Sequence, residues 1–344
     1  MIDAFNMWSI PVKLGLFAGA AAIISGALVI GLRPLLLRYA LARPNARSSH
    51  REPIPQGGGI AVIGTTAIIV CAASIFAPDL VDDPGRLAFV FSSIVGLAVL
   101  GATDDVRPLE VLPRLLLQAA AVIIVIATLP ADLRVLSALP WWIERALILV
   151  AILWFVNVAN FMDGIDCMTV AEVVPITGGL ALFSLMGALP RDATLVAFAL
   201  CGAIIGFAPF NRPVARLFLG DVGSLPIGLV LGWLLVLLAG NGHLAAALLL
   251  PLYYLADSTI TLLRRLVNGK PVMQAHRSHF YQRAMDGGFS VYQIVGRVFA
   301  ANIILVGLAA VTLLKTSFIL HIVALAGGSA LVGALLWNLN CGRR

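Results

Sequence analysis

Ala146-Leu-Ile-Leu-Val-Ala-Ile-Leu-Trp-Phe-Val156 runs directly into Asn157-Val-Ala-Asn-Phe-Met-Asp163-Gly-Ile-Asp166. The first half carries no charge and is apolar enough to complete a membrane crossing. The second half brings four polar side chains at a spacing of three: Asn157, Asn160, Asp163 and Asp166. Helical geometry places residues three apart on one face, so a row of amides and carboxylates is expected at the mouth of an apolar helix. Gly164 lets the backbone turn there. Carboxylates at the edge of hydrocarbon are costly and mark function by default. An ordinary solvated helix end would hold Lys, Arg or Glu, and this row has none.

Composition sets the frame for that row. The 344 residues are 60% hydrophobic and 12% charged, with a mean hydropathy of +1.00. Soluble domains carry about 25% charged residues, so the chain reads as an all-α polytopic membrane protein and not as a nucleic-acid binder. About 20 apolar residues cross a bilayer core as a helix. Eleven such spans are expected, near 14–36, 58–77, 87–103, 113–131, 143–160, 170–189, 193–209, 222–240, 243–263, 291–314 and 317–339. They form a single integral-membrane domain over 1–344. The first apolar run is followed by Arg33 and Arg38 and reads as a retained signal anchor. The four cysteines are scattered with no CxxC pair, which suggests neither a disulfide framework nor a zinc site. Trp141, Trp142 and Trp337 suit membrane interfaces.

Charge supplies an orientation. If the loops after spans 1, 3, 5, 7 and 9 share one side with the C-terminus, that side receives 17 of the 23 Lys and Arg. The positive-inside rule makes it cytoplasmic, with the N-terminus outside and the C-terminus inside. Every polar motif then falls on that side, in loops near 38–57, 103–113, 157–169, 209–224 and 264–290.

Each motif offers a chemistry beside a plainer reading. Asp104 and Asp105 end span 3; two adjacent carboxylates repel, and a cation or shared proton relieves them. They read as a Mg²⁺ ligand or a general base, or as a solvated helix end. In Phe218-Leu-Gly-Asp-Val-Gly-Ser224, glycines and helix-start N–H groups suit a phosphate, and Asp221 is a hard oxygen ligand for Mg²⁺. The plainer reading is a Gly-rich turn. In Gln274-Ala-His276-Arg-Ser-His279-Phe-Tyr-Gln-Arg283, imidazoles and guanidiniums suit a pyrophosphate, and the whole loop also suits anionic lipid head groups. The stretch Arg47–Gly59 could hold phosphate through Ser48, Ser49, His50 and backbone amides, or be a flexible basic loop. Asp257, inside a span and two helical turns before Arg264, is expected to pair with that arginine.

A transporter would carry its polar groups near the membrane midplane on broken, repeated helices. No repeat is found here, and the polar groups sit at span ends. That arrangement favours an enzyme working on a lipid head group with a soluble co-substrate.

The motifs Arg47–Gly59, Asp104-Asp105, Asn157–Asp166, Phe210–Ser224 and His276–His279, in this order, resemble the polyprenyl-phosphate N-acetylhexosamine-1-phosphate transferases over about residues 45 to 285. That family includes the phospho-N-acetylmuramoyl-pentapeptide transferase and the transferases that start O-antigen and related glycans. The resemblance implies transfer of N-acetylhexosamine-1-phosphate from a UDP-sugar to undecaprenyl phosphate, releasing UMP, with Mg²⁺ required. It implies a bacterial inner-membrane enzyme with its site on the cytoplasmic face. By motif match, Asp221 resembles the Mg²⁺ ligand, and Asp104 with Asp105 the pair that handles the lipid phosphate, by deprotonation or metal contact. Asn157, Asn160, Asp163, Gly164 and Asp166 resemble the nucleotide-sugar side. Phe218 resembles a uracil-stacking aromatic with Asn211 nearby. His276, Arg277 and His279 resemble the loop that holds the sugar diphosphate, with Ser49 and His50 as further substrate contacts. A homodimer is compatible with this reading. Two departures stand out. Cys167 replaces the second glycine of the family's Asp-Gly-x-Asp-Gly pattern. The two histidines of the His276–His279 loop differ from the triple-His pattern of the pentapeptide transferase, favouring GlcNAc, FucNAc or QuiNAc as the sugar.

Overall fold

The structure is a computed structural model that describes residues 8–42, 54–271, 276–315 and 317–342. Ser49 and His50 lie outside them. The long helices are α1 (Ile10–Tyr39), α2 (Gly58–Phe76), α3 (Pro84–Val106), α4 (Val111–Ala127), α5 (Trp141–Met162), α6 (Met168–Ser184), α7 (Arg191–Asn211) and α8 (Asp221–Leu238). A five-residue π segment, Ala239–His243, leads to α9 (Leu244–Leu249) and α10 (Leu252–Val267). The short α11 (Phe280–Asp286), then α12 (Val291–Leu314) and α13 (Phe318–Cys341), complete the bundle. Among the described residues, eight helical stretches are long and apolar enough to cross a membrane, while α4 and α6 are shorter apolar helices. The chain is therefore an all-α, multi-pass membrane protein.

The stretch Asp221–Leu249 is the axis of the fold; 94% of its most apolar 18-residue window is buried within the protein. Helices α2, α3 and α5 pack on α8, and small residues let two of them approach its backbone closely. A Cβ on Gly59 of α2 would stand 2.2 Å from Gly223 Cα. A Cβ on Gly101 of α3 would stand 2.2 Å from the Asp221 carbonyl oxygen. The first turn of α8 is thus pressed between the ends of α2 and α3.

Span 9 departs from the expectation of one helix over 243–263. It comprises α9 and α10, interrupted at Leu250 and Pro251, since proline lacks the N–H a continuing helix would use. The chain turns back where expected, at Asn241 and Gly242, whose backbone is non-helical. A straight helix from Asp221 to Leu249 would measure about 43 Å. It could not return Asp257 to the Asp221 end, where the contacts below place it.

A two-residue antiparallel pair, β1 (Leu41–Ala42) with β2 (Ile54–Pro55), lies at that same end. Gln56 continues β2 by bridging Phe218 in parallel. Phe218 N–H donates to the Pro55 carbonyl at 2.9 Å, and Gly58 N–H to the Phe218 carbonyl at 2.9 Å. These bonds fix the loop that delivers Asp221.

Candidate active site

Asp104 and Asp105 close α3, and their side chains part company. Asp104 accepts from Leu109 N–H at 2.7 Å and pairs with Arg114 at 2.7 Å. Asp105 turns to the start of α8, where it accepts from Asp221 N–H at 3.0 Å and Val222 N–H at 3.1 Å. Helix-start amides attract an anion, and here the anion is a carboxylate of the protein itself. This corrects the expectation that those amides cradle a phosphate. Gly220, at φ +77°, leaves the space: a Cβ there would lie 2.7 Å from Asp105 Oδ2. Gln56 Nε2 holds the Asp105 carbonyl at 2.9 Å.

Asp221 is the meeting point. Asn160 Nδ2 donates to its Oδ1 at 2.7 Å and to Ser224 Oγ at 3.0 Å. The Asp104 and Asp221 carboxyl groups are near enough to influence each other's protonation. Two hard-oxygen groups therefore stand side by side, drawn from α3 and α8. Among the described residues, no three His, Cys, Asp or Glu side chains form a complete metal-binding group.

The polar row does not share one face. Helix α5 ends at Met162, and Asp163 follows as its cap with ψ 47°, so the spacing of three loses its helical meaning after Asn160. Asn157 donates to Gln118 Oε1 on α4 at 2.8 Å and to the Leu153 carbonyl. It joins α5 to α4. Asp163 accepts from the Thr169 hydroxyl. Burial pushes its carboxyl up to about 8, with Asp221, Asp105 and Asp166 adding and Thr169 opposing. Asp166 accepts from Ala215 N–H at 3.0 Å.

Asn211 is a buried strut. It accepts from Cys167 N–H at 2.8 Å and donates to the Leu217 carbonyl at 3.0 Å. Phe218, in the same loop, is half-buried. At Gly164 a Cβ would fall 2.0 Å from the Tyr281 hydroxyl, so the loop needs glycine for close approach. That hydroxyl donates to the Phe161 carbonyl at 3.0 Å, which docks the His276–His279 loop against the corner after α5.

The partner of Asp257 is His279 and not Arg264, as expected from their spacing. Asp257 Oδ1 lies 3.1 Å from His279 Nδ1 and accepts from Phe280 N–H at 3.1 Å. Arg264 instead stacks over Phe280, 5.6 Å from the ring centroid. His279 is 2% exposed, and its ring lies 5.0 Å from that of His276. Arg277 pairs with Asp286 at 3.1 Å.

Arg114, Tyr281, Thr169 and Gln56 were not expected at this site. Arg114 has a signal in the sequence, an arginine near the start of the helix that follows the Asp pair. Gln56 and Tyr281 lie within the Arg47–Gly59 and Gln274–Arg283 motifs without having been singled out, and Thr169 has no signal, because only the fold brings it there.

A set of part-buried carboxylates and amides at one end of an apolar bundle, fed by four loops, defines a polar centre. Compared with known proteins, residues 87–239 match the model of glycosyl transferase family 4. The chain is 26% identical over 325 residues to a probable undecaprenyl-phosphate N-acetylglucosaminyl 1-phosphate transferase of Bacillus subtilis, covering 88% of each. It is 27% identical over 287 residues to an undecaprenyl-phosphate α-N-acetylglucosaminyl 1-phosphate transferase of Salmonella typhi, covering 77% of this chain and 74% of that one. It is also 27% identical over 326 residues to a phospho-N-acetylmuramoyl-pentapeptide-transferase of a Synechococcus species, covering 87% of this chain and 91% of that one. These findings indicate a sugar-phosphate transferase built into a membrane. The family they support is that of the polyprenyl-phosphate sugar-1-phosphate transferases, as the motifs led one to expect.

Proposed function

We propose that the protein transfers an N-acetylhexosamine-1-phosphate from a UDP-sugar to undecaprenyl phosphate at the cytoplasmic face of a bacterial inner membrane. A phosphate oxygen of the lipid attacks the β-phosphorus. The bond from that phosphorus to the bridging oxygen breaks, and UMP leaves with the electron pair. The product, undecaprenyl-diphosphate-sugar, would start O-antigen or a related envelope glycan.

The observation that carries this reading is the proximity of the Asp104 and Asp221 carboxyl groups, near enough to influence each other's protonation, with Asn160 bonded to Asp221. Two neighbouring carboxylates repel by up to a few kcal/mol at an effective dielectric near 20. Mg²⁺ relieves such a pair, and it is commonly held by one or two carboxylates with water and substrate phosphates completing the shell. The donor set therefore fits Mg²⁺, with Asp221 and Asp104 as ligands, and the ion would neutralise phosphate charge. Arg114 holds Asp104 in place, Asn160 orients Asp221, and Asp105 fixes the α8 end on which Asp221 sits. The reaction needs positioning and charge neutralisation more than covalent chemistry. His276 and Phe218 remain the candidates for the nucleotide-sugar. The two-histidine loop favours GlcNAc or a 6-deoxy-N-acetylhexosamine over the pentapeptide-bearing sugar.

The test is to offer purified protein a panel of UDP-N-acetyl sugars with undecaprenyl phosphate and Mg²⁺, and to follow UMP. Asp221→Asn should lower turnover by about a hundred-fold or more while its Tm stays near that of the wild type. Wild-type turnover in a folded Asp221→Asn protein would refute the metal-ligand role.

A further inference from the structure

We propose that a basic pocket at the end of α10 binds the phosphate headgroup of an anionic membrane phospholipid, at a place separate from the acidic centre. The pocket has a volume of about 320 Å³ and draws five cations together: Arg264, Arg265, Lys270, Arg277 and Arg283. Among the described residues, Asp286 beside Arg277 is the one carboxylate in an ion pair with any of them. The surplus of positive charge calls for an anion.

The pocket is also pre-shaped. Arg265 donates to Ser278 Oγ at 3.3 Å and to the Pro271 carbonyl at 2.7 Å, which ties α10 to the loop across the cavity. Phe280 supports the Arg264 guanidinium from beneath. The Nε atoms of Arg265 and Arg277 are buried without an acceptor among the described residues. A buried donor left unmet is costly, and a phosphate oxygen offers charge-assisted acceptance.

Two observations set this pocket apart and point to a lipid. Its lining, among the described residues, includes none of Asp104, Asp105, Asn160, Asp163 and Asp221. On the same two turns of α10, Ile260, Leu263, Leu266 and Val267 are 40%, 54%, 62% and 85% exposed. An apolar flank beside a cationic mouth at the end of a membrane helix matches a phosphate with acyl chains attached; a free anion would not use the flank. Basic pockets on the cytoplasmic side bind anionic head groups in this way.

The test uses the full chain in neutral detergent, following Tm and bound lipid by native mass spectrometry. The additions are phosphatidylglycerol, phosphatidylcholine, inorganic phosphate and undecaprenyl phosphate, each separately. Phosphatidylglycerol should raise Tm and stay bound, with no effect from phosphatidylcholine or inorganic phosphate and no displacement by undecaprenyl phosphate. The double variant Arg264→Gln, Lys270→Gln changes two exposed side chains outside the proposed catalytic centre. It should bind phosphatidylglycerol about thirty-fold more weakly while keeping its turnover without added phospholipid. A second variant, Arg265→Gln, should weaken binding in the same direction. Equal effects of the two phospholipids, or undiminished binding by the double variant, would overturn the proposal. Reproduction of the Tm rise by inorganic phosphate would overturn the lipid source. Displacement by undecaprenyl phosphate would make the pocket a substrate subsite instead.

Discussion

Cys167 holds φ +60°, the left-handed region that side chains avoid and glycine accepts. It sits where the family pattern has glycine, so the departure read in the sequence has a conformational meaning. The strain is held by Asn211, which binds both the Cys167 N–H and, through its carbonyl, the Cys167 thiol. Cys167→Gly should raise stability by about 1 kcal/mol, read as a Tm rise of about 2 °C. A lower Tm would show that the thiol contact outweighs the strain. Asp163 gives a second prediction. Its carboxyl titrates near 8 in the folded chain, against about 3.9 when unfolded. Between those values the folded state holds a proton that the unfolded state has shed, so stability falls as pH rises through that window. In chelator, the Tm of the wild type should decline from pH 5 to 8, and Asp163→Asn should decline less. Equal slopes would remove Asp163 as the cause.

The first turn of α8 shows what an element needs from its neighbours. It has no cap of its own making; Asp105 on α3 takes its first two amides. The sequence marked Asp105 as one of a pair and could not show that the pair divides between two tasks. The reason is physical: adjacent side chains on a helix point about 100° apart, and the partner lies 116 residues away. The row after α5 failed for a related reason, since the periodicity of three means a shared face only while the helix lasts. Close packing at this turn carries a prediction. Gly101→Ala would drive a Cβ to within 2.2 Å of the Asp221 carbonyl oxygen. The helices must part, costing about 1–3 kcal/mol, and Asp104 should lose its reach to Asp221. Turnover and Tm should both fall. Unchanged turnover would separate this contact from the chemistry.

Across the whole molecule, apolar runs made the bundle legible, because a bilayer demands length and hydrophobicity of each crossing. The convergence of the polar loops at one end was legible too, from alternation of charge between successive loops. Residues that arrive from far in the sequence were not: Arg114 on Asp104 and Tyr281 on the α5 corner depend on which helices touch. His279 was legible as part of a motif, while its buried pairing with Asp257 was not. The proposed chemistry draws on all these loops, and its signature is which phosphorus moves. UDP-GlcNAc labelled with ³²P at the β-phosphate, mixed with undecaprenyl phosphate, Mg²⁺ and the purified protein, tests this directly. The label should pass to the lipid fraction together with the sugar, leaving unlabelled UMP. Label remaining in water-soluble UDP while sugar enters the lipid, or label that never leaves UDP-GlcNAc across the panel of UDP-sugars, would contradict sugar-1-phosphate transfer.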